Sequence, residues 1–344
     1  MPYPTATVAA ATHGSNVRRD AYRVPMAVSD DKPALDAILQ KVLEAVPFQL
    51  TADGGPEASR QRFRDVPRQP VDRNLRVEDR TIDGPAGPIP IRLYWPADAA
   101  ESPLPVVMFF HGGGWVVGDL DTYDLSAQLH AISCDAIVVS VDYRLAPEHP
   151  YPAAVDDVWA ATQWVGAHAA EFGGDPDRLA VAGDSAGGNL AAVVAQLARD
   201  AGGPAIGFQL LWYPATTWDT SLPSFAENAD APILNRDATA QFSKWYADGV
   251  DMTNAPATLV PARAAELSGL PPAYIAVAGY DPLRDDGVRY GDLLATAGVP
   301  VEVHNAASLV HGYLGYAGVV PVATEAIDRA LAALRAALHP HPTR

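Results

Sequence analysis

The sequence predicts an α/β fold: a mostly parallel central sheet flanked by helices, with a helical cap. Three observations carry that prediction. Continuous apolar runs recur, among them Pro105-Val-Val-Met-Phe-Phe110 and Ala136-Ile-Val-Val-Ser-Val141, as strands buried on both faces require. Amphipathic stretches of helical period separate these runs, and such alternation means a parallel sheet covered on both sides. One interval, 214–270, breaks the rhythm with Pro, Ala, Asp and an extra helix around Asp237 to Tyr246. An insertion beyond a strand's C-terminal end sits where α/β active sites lie, so it is expected to contribute to a lid.

Taken in order, residues 1–25 are a Pro/Thr/Ala mixture without period and are expected to be poorly ordered. From Lys32, Leu35, Ile38, Leu39, Val42, Leu43 and Val46 recur at helical spacing until Pro47. A second, polar helix is expected over 56–65, and both belong to a cap spanning 26–70. The catalytic domain is then 71–344, with a cap insertion at about 215–250. It opens with NLRVEDRTIDG and PIPIRLYWP, which alternate like antiparallel edge strands. Further strands are expected at Leu179–Ala182, Ile206–Leu211, Ala273–Ala278 and Val299–Val303. Helices fit at 122–133, 153–169, 188–201, 285–297 and 321–338.

Composition narrows the function. A formal charge of −17 over 344 residues argues against nucleic acid and anionic membrane surfaces. The one cysteine, Cys134, can form neither an internal disulfide nor a thiolate cluster, and reads as a buried filler. No apolar run approaches the 18 or so residues of a membrane span, and the first residues lack the pattern of a signal peptide. The expected location is cytoplasmic.

The chemistry centres on Gly183-Asp184-Ser185-Ala186-Gly187, a G-x-S-x-G between an apolar strand and a helical pattern. That strand-to-helix context is the one in which such a serine stands exposed as a nucleophile. A Gly-rich turn with a serine cap is the plainer alternative. His111-Gly-Gly-Gly-Trp115 directly follows another strand, and successive glycines let backbone N–H groups approach a developing oxyanion. A phosphate loop is the rival, but Asp119 stands where its lysine belongs. His111 is expected to hold the loop's shape. Asp281, three residues beyond a strand, is the candidate acid, with Asp285 as fallback. Of nine histidines, His130 and His168 fall in expected helices, His304 at a strand end and His149 between prolines. His311 alone follows the last core strand in a loop downstream of both Ser185 and Asp281, which gives the chain order Ser, Asp, His.

HGGGW at 111–115, YRLAPEHPYPAAVDD at 143–157, GDSAGGNLA at 183–191, DPLRDDG at 281–287 and HGY at 311–313 together resemble the hormone-sensitive-lipase-like family of α/β-hydrolases. The resemblance covers roughly 75–338 in order. It implies the α/β-hydrolase fold, Ser185, Asp281 and His311 as triad, and Gly113, Gly114 and Ala186 as oxyanion donors. No metal or organic cofactor is implied, and dimerisation through sheet edges is. The family pattern often has an aromatic and a glycine where this chain has Ala306 and Ser308, so the His311 loop is expected to differ in shape. The resulting expectation is a carboxylic ester hydrolase for short- to medium-chain esters. Trp115, Trp212, Trp218, Phe225, Trp245 and Tyr246 are candidates to line its pocket. An acyltransferase or amidase with the same triad, and a non-hydrolytic small-molecule receptor, are the alternatives.

Overall fold

The computed structural model describes residues 32–68, 75–97 and 103–340. The N-terminal segment expected over 1–25 lies outside the described residues. Eight strands form one sheet: β1 (Leu75–Gly84), β2 (Gly87–Pro96), β3 (Leu104–Phe110), β4 (Ile137–Val141), β5 (Gly174–Asp184), β6 (Ile206–Trp212), β7 (Ala273–Tyr280) and β8 (Val301–Val310). Their order is β1-β2-β4-β3-β5-β6-β7-β8. The first two are antiparallel to their neighbours, and β4 onward run parallel.

Side-chain alternation splits each central strand between two apolar layers. Val106, Met108 and Phe110 of β3 join one cluster; Val107 and Phe109 join the other. The first layer is covered by α4 (Ala153–His168), α5 (Ala186–Ala201) and α8 (Arg284–Thr296). The second is covered by α3 (Asp124–Cys134) and α9 (Pro321–Leu338), which also pack on each other. All seven residues of β3 and all five of β4 are buried. That double coverage is why these strands are apolar without alternation.

Two helices precede the sheet. The first, α1, covers Ala37–Ala45, and its amides at Ile38 and Leu39 bond the Asp36 carboxylate that caps it. It therefore starts four residues later than the position of Pro33 suggests, because Asp36 is the stronger helix-start signal. The second, α2, covers Gly55–Asp65. In the insertion, α6 (Pro223–Glu227) and α7 (Arg236–Tyr246) lie between β6 and β7. Leu50 pairs its amide with Ile233 O at 2.8 Å, so the segment between the first two helices meets the insertion directly. Strand β8 runs to Val310, seven residues past the expected end, because Ala306 pairs with Ala278 and Val310 with Tyr280. His304 is thus inside a strand rather than at its end.

Candidate active site

Four loops at the C-terminal ends of β3, β5, β7 and β8 converge, the place where open α/β sheets carry their sites. Ser185 occupies the turn between β5 and α5 with φ 55° and ψ −114°. A non-glycine residue in that region stores about 1–3 kcal/mol, so neighbours must enforce it. Ser185 N donates to Trp212 O at 2.8 Å, and Ser185 O accepts from Asn189 N at 3.0 Å. The flanking glycines are obligatory on steric grounds: a Cβ on Gly187 would lie 1.9 Å from Phe110 O, and one on Gly183 2.2 Å from Gly187 O.

His311 Nε2 stands 2.9 Å from Ser185 Oγ, and His311 Nδ1 stands 2.7 Å from Asp281 Oδ2. All three are buried, Asp281 completely. The other carboxylate oxygen of Asp281 accepts from Leu283 N at 2.8 Å. An imidazole that donates from Nδ1 to this carboxylate keeps its Nε2 lone pair for the serine hydroxyl. Asp285, the fallback acid, is occupied elsewhere, accepting from Ser224 N and pairing with Arg284.

Gly113 and Gly114 adopt φ 102° and 60°. A Cβ on Gly113 would meet Val117 O at 2.3 Å, and one on Gly114 would meet Phe242 Cδ1 at 2.5 Å. The N–H groups of Gly113, Gly114 and Ala186 have no hydrogen-bond acceptor among the described residues. The preceding amide, Gly112 N, is instead held by Asp184 Oδ1 at 2.7 Å. Asp184 is buried beside Ser185, and burial pushes its carboxyl up to about 7. His111 braces the loop: its Nδ1 donates to Gly112 O at 2.8 Å and its ring stacks on Tyr143 at 4.2 Å. Burial lowers its pKa to about 4 and so keeps it neutral.

A cavity of about 130 Å³ adjoins Ser185, lined mainly by apolar side chains that include Leu50, Leu222, Leu234 and Phe242. Of the aromatic residues named from the sequence, Trp115, Trp218 and Phe225 line it. The other three aromatics do not. Trp212 is fully buried on the opposite face of the sheet, where its indole donates to His130 Nε2 at 3.1 Å. Tyr246 is buried behind Trp115, stacked on it at 4.3 Å. Trp245 packs on Phe242 from outside the cavity wall. Sequence reasoning missed Leu50, whose wall position depends on the pairing of the segment between α1 and α2 with Ile233, and Phe242, one helical turn from residues it did weigh. It also missed Asp286, whose Oδ1 accepts from Thr216 Oγ1 and Thr217 N.

Residues 107–315 match the model of a family described as having the α/β-hydrolase fold. Esterase LipI of Mycobacterium tuberculosis is 68% identical over 314 residues, covering 90% of this chain and 98% of that protein. Carboxylesterase NlhH of the same species is 56% identical over the same shares. The chain belongs to the hormone-sensitive-lipase-like α/β-hydrolases. Among solved structures of this family, DphMB1 is 70% identical and superimposes with a TM-score of 0.86, over 89% of this chain and 99% of that one. The expected departures fall where β8 was lengthened: Ala306 is buried in the sheet, and Ser308 O accepts from Asp36 N at 2.9 Å. Among the described residues, no helix is long and apolar enough to cross a membrane.

Proposed function

We propose that this esterase cleaves short- to medium-chain carboxylic esters through an acyl-enzyme, with Ser185, His311 and Asp281 as triad. The observation that carries the reading is the continuous chain of contacts from Ser185 Oγ through the His311 ring to Asp281. His311 removes the serine proton as Oγ attacks the ester carbonyl, and the carbonyl electrons move onto its oxygen. The free N–H groups of Gly113, Gly114 and Ala186 stabilise that oxyanion. As the tetrahedral intermediate collapses, His311 protonates the leaving alcohol. It then activates water to release the acid. Asp281 stabilises the imidazolium and holds its orientation.

Size supports the chain-length range. Engineered cavities of about 150 Å³ hold benzene, so 130 Å³ of mainly apolar space suits a short acyl or small aryl group. In this reading α1, α2 and the insertion with α6 and α7 form the cap, supported by Leu50, Leu234 and Phe242 on the cavity wall. A cytoplasmic location, acting on small esters, completes it and is checked by fractionating the source cells.

The test is hydrolysis of p-nitrophenyl esters from acetyl to palmitoyl by the wild type and by Ser185→Ala. Wild-type activity peaking at short acyl chains, with a loss of about 10³-fold or more in the variant, is the expected result. Full activity in Ser185→Ala overturns the reading.

A further inference from the structure

We infer that residues 32–36 form a strap that positions the Asp281 and His311 loops, with Lys32 as its positioning residue. The inference rests on the roles proposed above for those two side chains. Lys32 Nζ donates to Asn228 Oδ1 at 2.5 Å. The amide of Asn228 in turn donates to Asp281 O at 3.0 Å and Gly279 O at 3.3 Å. Asn228 is 3% exposed, and an ammonium on its oxygen polarises the amide toward stronger donation at its nitrogen. The main chain of the acid, at Asp281 O and Gly279 O, is therefore held by a residue that Lys32 in turn holds.

Two more contacts tie the same segment to the same loop. The Lys32 ammonium sits 3.8 Å from the centroid of the Tyr280 ring, and Tyr280 Oη donates to Pro33 O at 2.9 Å. Tyr280 immediately precedes Asp281. The segment then crosses to the end of β8, where Asp36 N donates to Ser308 O, three residues before His311. Leu39, fully buried in the cluster that also contains Leu309, Val310 and Tyr313, anchors the strap from α1.

Five consecutive residues thus span the two loops whose separation sets the 2.7 Å contact between Asp281 and His311. None of them lines the substrate cavity. A strap of this kind acts on kcat through geometry and leaves substrate binding alone.

The experiment compares Lys32→Met, Lys32→Arg, Tyr280→Phe and Asp281→Asn with wild type on p-nitrophenyl butyrate. Active-site titration corrects each for folded enzyme, and Ser185 reactivity is followed with phenylmethylsulfonyl fluoride. Lys32→Met is expected to lose about tenfold in kcat and in sulfonylation rate with KM within about twofold, since small misplacements of reacting groups carry penalties of that size. Lys32→Arg should recover most of that loss, and Tyr280→Phe should show a smaller loss of the same kind. Wild-type kcat in both Lys32→Met and Tyr280→Phe overturns the strap, as does a loss confined to the folded fraction or one that arginine leaves unrecovered. Asp281→Asn separates the two readings: if it stays active, the assignment of the acid fails, and the strap with it.

Discussion

Asp184 has two tasks that conflict. Its Oδ1 holds Gly112 N, which sets the path of the His111–Trp115 loop, and its Oδ2 accepts from Tyr123 Oη at 3.2 Å. Both contacts favour a carboxylate, yet burial outweighs them and pushes the pKa to about 7 from 3.8. Between those values the folded chain holds a proton that the unfolded chain releases. The stability from this proton is full below about pH 4 and is lost as pH rises to about 7. Asp184→Asn keeps an acceptor for Gly112 N and removes the titration. Melting temperatures followed from pH 4 to 8 should therefore fall more steeply for wild type than for the variant, leaving Asp184→Asn the more stable of the two near pH 8. Parallel profiles would show that Asp184 is ionised throughout. The motif itself made this residue visible in the sequence, but its partners Tyr123 and Gly112 are ones that no local pattern places beside it. Asn228 was invisible for the same reason: it reaches Asp281 across 53 positions.

At the scale of elements, α7 presents Thr239, Phe242 and Ser243 to the cavity, the spacing of one helical face. Phe242 also packs so near Gly114 that a Cβ there would meet its ring. Phe242→Ala should lengthen the preferred acyl chain in the p-nitrophenyl series and destabilise by about 3–5 kcal/mol in urea unfolding. An unchanged chain-length optimum would remove α7 from the cavity wall. The same element shows why the pocket was only half legible. Helical period tells which residues of α7 share a face, but not which face meets the substrate. Strand parity misled in the same way at β6, where Leu211 and Trp212 enter opposite layers and only the assembled sheet decides which side faces the site. Ser185, Asp281 and His311 escaped that ambiguity. Ser185 and Asp281 each lie three residues beyond an apolar run, a position that the run marks by itself, whereas His311 lies well past the run of β8 and was reached only through the chain order Ser, Asp, His.

Across the whole molecule, each apolar run announced a strand, while the neighbours of each strand depended on crossovers that composition does not encode. The antiparallel pairing of β2 with β4, ahead of β3, is one such outcome. Charge, by contrast, was fully legible and has a consequence for substrate choice. A net −17 surrounds a cavity that carries Asp219 and Asp286 among its lining residues. Burial raises Asp286 to about 6, so this carboxyl is ionised above that pH and adds a negative charge at the wall. An ester with an anionic acyl group meets repulsion in steering and again inside the cavity, where solvent screens less. The p-nitrophenyl half-ester of succinic acid should accordingly show kcat/KM about tenfold or more below p-nitrophenyl butyrate at pH 8 and low salt. Added salt should shrink the steering part of the gap. Asp286→Asn should shrink the cavity part, because its amide oxygen still accepts from Thr217 N while the charge is gone. A half-ester turned over as fast as the neutral one at low salt would show that the charge of the chain does not reach its site.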